Sequence, residues 1–505
     1  MPTLSTNALR VLEARYLRRD AARRIIETPQ ELFERVARGV AHAELILGNA
    51  RQAARWEGRF GELLDSLDFL PNSPTLMNAG TPLGQLSACF VLPVDDSMEG
   101  IFEALKQMAL VQRTGGGTGF SFSRLRPRGA AVSSTAGETP GPVAFIHIFD
   151  AATEHIKLGG RRRGANMAVL RVDHPDIREF IGAKLDGSLP NFNLSVAVTD
   201  AFMQAEAARR AYDLLDPGTG RRVGRLTATD VFDAIVDAAC RTGDPGLLFL
   251  DAVARANPIP ARGEVEATNP CGEVPLLPNE ACNLGSINVA RMVRTREGAM
   301  ELDRDRLGTT VAAAVRFLDD VIEVNRFPTD ALARASRGSR KIGLGVMGFA
   351  ELLVRLGVSY DSSEAVGQAE ELMRAIEEAA LEASRALAEE RGVYPFWTGS
   401  VHEREGLRLR NATRTAIAPT GTISIIAGTS PSIEPFFALA YRRSHVLGGE
   451  TLHEVSPSFR EAVTRLGVDA APLLDAAART GRLGEEPGIP AELRRLFITA
   501  LEIPP

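Results

Sequence analysis

Beyond Leu70 the sequence repeatedly sets a short apolar run rich in β-branched residues ahead of an amphipathic stretch, an order that few architectures accept. Ala168-Val-Leu-Arg-Val172 precedes Pro175 to Ala183, and Asn193-Leu-Ser-Val-Ala-Val198 precedes Asp200 to Arg209. Such alternation predicts an α/β barrel or sheet, because each helix must cover the apolar face of the strands it connects. Ahead of this pattern, Asn7 to about Phe69 reads as helices. Leu9, Val11, Leu12, Ala14 and Leu17, and then Leu32, Val36, Val40, Ala43 and Leu47, recur at helical spacing. The division expected is a helical section over 1–69 and an α/β domain over 70–505. The clearest helix follows Asp361, which is expected to cap the first turn with Glu364 three residues on. Val366, Ala369, Leu372, Met373, Ile376, Ala380, Ala383 and Leu387 form its apolar stripe and Gly392 its stop.

With 45% hydrophobic and 24% charged residues in 505, the chain has ample material for a large core. A net charge of −6 argues against wrapping nucleic acid, which needs a basic face. The N-terminus has no apolar signal region, and no run of about 18 apolar residues occurs, so a cytoplasmic location away from membranes is expected.

Four cysteines, Cys89, Cys240, Cys271 and Cys282, are too few for a disulfide framework in a chain this long. Their spacing lacks C-x-x-C and no histidine lies near Cys271 or Cys282, which argues against zinc. Asn269-Pro-Cys-Gly-Glu273 sets an amide, a thiol and a carboxylate at alternate positions. In an extended segment all three would point one way, toward chemistry on a hydroxylated substrate. A buried turn with an incidental cysteine is the plain alternative. Cys89 and Cys282 could supply two electrons by closing a disulfide, provided the fold brings them together. Thr114-Gly-Gly-Gly-Thr-Gly-Phe120 is suited to close ligand approach, although it matches neither the P-loop nor the dinucleotide fingerprint. Ala418-Pro-Thr-Gly-Thr-Ile-Ser424 has the composition of an anion nest, or of a plain turn. Gly159 to Gly164, with Arg161, Arg162 and Arg163, could read phosphates or face solvent.

Seven segments together carry a resemblance: Asn72 to Gly80, Leu86 to Val91, Thr114 to Phe120, Asn269 to Glu273, Ala281 to Ser286, Arg340 to Gly348 and Ala418 to Ser424. In this order they resemble ribonucleotide reductase catalytic subunits. The wording of Asn72-Ser-Pro-Thr-Leu-Met-Asn78, the glycine-rich loop and Asn269 to Glu273 is most similar to the adenosylcobalamin-dependent branch acting on diphosphates. The alternatives are a class I large subunit fed by a separate radical-generating subunit, or a catalytically silent nucleotide-binding fragment. Nucleic-acid binding through Arg161 to Arg163 is a weaker third.

The resemblance implies a ten-stranded α/β barrel with a central loop carrying Cys271. It implies that Cys271 becomes a thiyl radical, that Glu273 takes the 3′-hydroxyl proton, and that Asn269 binds the substrate hydroxyls. Cys89 and Cys282 would be the reducing pair, leaving Cys240 to packing. Ser73, Ala88, Cys89, Gly115, Gly116, and Asn269, Pro270, Cys271, Gly272 and Glu273 align with substrate-binding positions. Pro419, Thr420, Gly421, Thr422 and Ile423 would hold phosphates. Asp96, Ser97 and Arg126 match positions for a deoxynucleotide effector at a dimer interface, with Lys157 to Ala165 as the relay to the substrate base. Implied partners are an external dithiol such as thioredoxin and a second copy of the chain. Family members continue past the equivalent of Pro505 with further barrel elements and a cysteine pair, so a separate chain supplying those elements, or a fragment, is expected. The N-terminal section is expected to be too short for an ATP-cone.

Overall fold

In the computed structural model, residues 4–48, 50–132, 137–156, 164–446, 450–465, 473, 477, 480–483 and 489–504 are described. Helices open the chain: α1 (Thr6–Arg15), α2 (Pro29–Ile46) and α3 (Ala50–Asp65). Ser5 caps α1 by accepting the Ala8 N–H. Thr28, the cap of α2, and Glu31 in its first turn satisfy each other's backbone N–H groups, with Pro29 at the first helical position. The apolar spacing does place these helices, but Leu9 and Leu47 at its edges are about 40% exposed, the inward face beginning instead on Ala8.

Ten strands bear on the site: β1 (Phe69–Pro71), β2 (Cys89–Leu92), β3 (Gly117–Ser121), β4 (Asn166–Arg171), β5 (Phe192–Val198), β6 (Gly246–Phe249), β7 (Ala267–Thr268), β8 (Pro275–Leu276), β9 (Ala281–Asn288) and β10 (Ile342–Met347). Strands β2 to β6 run parallel in that order, and β9 and β10 form a second parallel pair. The two arrays run in opposite senses and meet at β9, which pairs antiparallel with β1 (Leu70↔Ser286) and with β2 (Cys89↔Cys282). Eight strands form this sheet among the described residues, and a single parallel bridge, Leu344↔Thr415, extends its β10 edge. The expected strand-then-helix order holds, with Ile177–Gly182 after β4 and Asp200–Ala207 after β5.

Successive strand residues point to opposite faces, and both faces of this sheet are covered. Phe90, Leu92, Phe120, Ala168, Leu170, Val196 and Val198 pack outward against helices that include α4 (Met98–Gln112). Cys89, Val91, Met167, Val169 and Ala197 point inward and pack on Ala267, Val274 and Leu276 of the β7–β8 hairpin. The hairpin thus fills the inner face of the sheet.

On the other array, α5 (Arg304–Val324) and α6 (Ser363–Arg391) cover the sheet and share one core with α2 and α3. Phe60 of α3 and Phe69 of β1 both meet Phe317 edge-on, with centroids 5.0 and 5.3 Å apart. The cap of α6 differs from expectation: Ser362 accepts the Ala365 N–H, while the Asp361 carboxylate accepts the Ser359 hydroxyl at 2.6 Å. Its inward stripe accordingly starts on Ala365, and Val366 is 61% exposed. Gly392 ends the helix at φ +82°.

A buried charge network fastens these layers. Glu44 of α2 accepts from Arg316 and Arg391, each at 2.6 Å. Arg391 also meets Asp319 and Asp320, while Arg340 and Arg410 each engage Asp319 and Glu323. Burial pushes the Asp320 carboxyl up, with Glu44 and Asp319 adding to it against Arg391. No helix among the described residues is long and apolar enough to cross a membrane. The expected arginines 161–163, and the relay loop as far as residue 163, lie outside the described residues.

Candidate active site

The β7–β8 hairpin (Ala267↔Leu276, Thr268↔Pro275) carries Asn269 to Glu273 at its tip. The segment is a turn and not the extended run expected from its alternation. Gly272 N–H donates to the Asn269 carbonyl at 3.0 Å, and Gly272 sits at φ +85°, a conformation that favours glycine. The turn itself gathers the three side chains. Asn269 Nδ2 donates to Glu273 Oε2 at 2.6 Å, and its Oδ1 accepts the Val274 N–H at 3.0 Å. On the far side Asn193 Nδ2 of β5 donates to the Pro270 carbonyl at 2.7 Å.

Glycines let the hairpin lie so close to the sheet. A Cβ on Gly119 of β3 would stand 1.7 Å from the Thr268 carbonyl oxygen, and one on Gly117 would meet the Pro270 ring at 2.8 Å. The glycine-rich segment, expected as a ligand loop, is therefore mostly the strand on which the catalytic candidate rests. Gly116 and Gly117 also line the pocket, whereas Gly115, at φ +99°, stands outside its lining.

That pocket encloses about 310 Å³. Asn269, Pro270, Cys271 and Glu273 form one wall, and Ser73, Ala88 and Cys89 a second. Pro419, Thr420, Gly421, Thr422 and Ile423 form a third, so the expected substrate positions meet in one place apart from Gly115 and Gly272. Thr420 is at φ +50° and its hydroxyl accepts the Ser432 N–H at 2.7 Å; Thr422 Oγ1 accepts from Arg15 of α1 at 3.5 Å. Tyr16, the residue that follows α1, is hydrogen-bonded to Ser73 Oγ at 2.7 Å.

Cys89 and Cys282 are direct partners across the antiparallel ladder, a relation in which Cα atoms lie about 4.5–5.5 Å apart and side chains share a face. This is within the span of a disulfide. Cys89 Sγ donates to Glu273 Oε1 at 3.9 Å, so Glu273 connects Asn269 to the cysteine pair. Burial pushes the Cys282 thiol far up; Lys341 opposes this, and Glu273 and Glu280 add to it. Cys271 is exposed. Cys240 is exposed too, against the packing expected of it, because the helix Ala228–Thr242 turns Val231, Ile235 and Ala238 inward.

Asp96, Ser97 and Arg126 cluster at the start of α4, away from the pocket. Arg126 Nε donates to Asp96 Oδ2 at 2.8 Å, and Ser97 Oγ caps α4 by accepting the Gly100 N–H. Sequence reasoning missed Asn72, Ala165 and Leu284 to Ser286 as lining residues, and Asn193 as the anchor of the turn. Asn72 and residues 284–286 stand inside quoted motifs; Asn193 carried no signal beyond its strand.

A family model described as "Ribonucleotide reductase, barrel domain" matches residues 87–409 and 403–505, and one described as "Ribonucleotide reductase, all-alpha domain" matches residues 3–84. A protein of Thermoplasma acidophilum named vitamin B12-dependent ribonucleoside-diphosphate reductase is 48% identical over 99% of this chain and 72% of its own length. One of the same name from Mycobacterium tuberculosis is 53% identical over 99% of this chain and 72% of its own. The ribonucleoside-diphosphate reductase subunit alpha of Chlamydia muridarum is 30% identical over 97% of this chain and 53% of its own.

Proposed function

This chain belongs to the ribonucleotide reductase family, and from that premise we propose that its hairpin pocket reduces ribonucleoside diphosphates to 2′-deoxyribonucleotides through a thiyl radical on Cys271. It is an enzyme of the vitamin B12-dependent kind: the two relatives named vitamin B12-dependent ribonucleoside-diphosphate reductase are 48% and 53% identical, against 30% for the Chlamydia muridarum subunit alpha. The observation that carries the reading is the convergence of Asn269, Cys271, Glu273 and the opposed pair Cys89 and Cys282 on one pocket.

Adenosylcobalamin supplies the radical when bound. The turn leaves room for a bulky group beside the sulfur, since Cys271 is exposed and a Cβ on Gly272 would meet no atom within 4 Å. Pro270, Cys271 and Gly272 are the residues such a group would adjoin. Cys271 abstracts the 3′ hydrogen, Glu273 accepts the 3′-hydroxyl proton, and Asn269 orients carboxylate and substrate together. Cys89, hydrogen-bonded to Glu273, protonates the departing 2′ hydroxyl. Cys89 and Cys282 then give up two electrons and two protons in all and close a disulfide, water leaves, and Cys271 returns the hydrogen to C3′ and is again the thiyl radical, leaving the deoxyribose.

The backbone of Pro419 to Ile423, with Ser73 and Thr422, holds the phosphates. Asp96, Ser97 and Arg126 form the effector site at a homodimer contact, an external dithiol such as thioredoxin restores the cysteines, and the enzyme works in the cytoplasm. The chain divides near residue 69 into the helical section and the barrel. The test is deoxynucleotide formation from a ribonucleoside diphosphate with adenosylcobalamin and dithiothreitol. Cys271→Ser should abolish product while nucleotide binding persists, because an alcohol O–H resists conversion to a radical far more than a thiol S–H. Substantial turnover by that variant removes Cys271 from the chemistry.

A further inference from the structure

Behind the cysteine pair lies a buried ion pair to which no step above assigns a part. Lys341 Nζ and Glu280 Oε2 are 2.6 Å apart with side chains only 2% and 1% exposed, and Glu280 Oε2 also accepts the Leu277 N–H at 2.8 Å. The ladder sets the backbone of Lys341 next to that of Cys282. Asn283 pairs with Ile342 and Leu284 with Gly343, so one step earlier Lys341 comes alongside Cys282. Cys282 and Leu284 share a face of β9, and Glu280 and Lys341, one residue ahead of β9 and β10, continue the faces of Cys282 and Gly343. A Cβ on Gly343 would lie 3.7 Å from Cys282 Sγ, so it is the same face.

The two sulfurs differ in access. Cys89 lines the pocket, whereas Cys282 is fully buried behind it. A reductant entering the pocket therefore meets Cys89 first. We propose that Lys341 is a positioning residue for the recharging half of the cycle, holding its ammonium where Cys282 leaves as a thiolate when an external dithiol attacks Cys89. This rests on the reading of Cys89 and Cys282 as the redox pair.

The step balances. The dithiol, as a monothiolate, bonds to Cys89 Sγ; the Cys89–Cys282 bond breaks and its electron pair departs on Cys282. The dithiol's second thiol then displaces Cys89. Two electrons have moved from the dithiol, now a cyclic or internal disulfide, to the protein, and both cysteines regain protons. A thiolate in so dry a place is costly without a nearby cation, and leaving thiols with lower pKa depart faster. The charged groups acting on Cys282 are Lys341, Glu273 and Glu280; Lys341 alone favours the anion, and its influence is the largest of the three.

The experiment starts from holoenzyme oxidised at Cys89–Cys282 by one turnover without reductant. Reduction by dithiothreitol is followed by alkylation and peptide mass spectrometry. Lys341→Met should slow it by roughly tenfold or more, and so should the paired Glu280→Gln/Lys341→Met variant, which leaves no lone buried charge. Nucleotide affinity should stay at the wild-type value. Wild-type reduction rates in the folded double variant would overturn the role of Lys341. On the unaltered enzyme, an aromatic monothiol should be trapped as a mixed disulfide on Cys89; trapping on Cys282 overturns the order of attack. Absence of any Cys89–Cys282 disulfide after turnover would instead sink the reading of the pair itself.

Discussion

His174 is 2% exposed and both of its ring nitrogens are engaged: Nδ1 accepts the Asp176 N–H at 3.0 Å, so Nε2 carries the proton that it donates to the Leu125 carbonyl at 2.9 Å. A second proton on Nδ1 would face an N–H, and burial pushes the group below the ordinary histidine value of 6.5, against the pull of Asp176, Asp173 and Asp216. The unfolded chain therefore takes up that proton first. His174 contributes its full stability above about pH 6.5 and loses it progressively as the pH falls. Thermal unfolding between pH 7.5 and 5 should decline more steeply in the wild type than in His174→Gln, and equal slopes would count against this account. Burial also lowers His402, which leaves a residual decline in the variant. At this scale the sequence marked Cys271, Glu273 and Asn269 as candidates by their residue types, and of the two conformations it left open the structure has the turn. Lys341 and Glu280 carried no such signal, because their meaning depends on ladder register across some sixty residues of chain.

Elements meet here through backbone as much as through side chains. Gly119→Ala sets a methyl against the Thr268 carbonyl, backbone against backbone, so β3 and the hairpin must part. We expect a loss of about 1–3 kcal/mol and of most activity, since Cys271 rides on that hairpin. Gly58→Ala, on the exposed side of α3 with nothing within 4 Å, should instead stabilise by up to about 1 kcal/mol. Urea denaturation of both variants checks the contrast, and a neutral Gly119→Ala would refute the packing argument. In α6, Ser362→Ala should cost about 1 kcal/mol and Asp361→Ala much less. The helix was legible from its period. Its cap was not, because Asp361 and Ser362 are both capping residues and only the path of the chain chooses between them.

Across the whole molecule, the strand-and-helix alternation gave the class of fold, while the meeting of two oppositely directed arrays stayed hidden, since strand sense depends on connections too long for local pattern to fix. Nor does apolar period reveal that the helical section is held by charge. Glu44→Gln leaves Arg316 and Arg391 short of a buried partner and should destabilise by about 3–5 kcal/mol, seen as a lowered Tm. A Tm within a degree or so of wild type would mean that the remaining carboxylates absorb both guanidinium groups. The seam where the arrays meet has one more property. Cys89 faces Cys282 across it, and a bond between them closes a loop of roughly 190 residues, worth about 5 kcal/mol against unfolding in the chain-entropy picture. On the proposed reading of the pair, each round of work buckles the molecule shut along this seam and each recharging unbuckles it. An enzyme starved of reductant is then the idle and also the sturdiest form, outlasting heat that would unravel the working one.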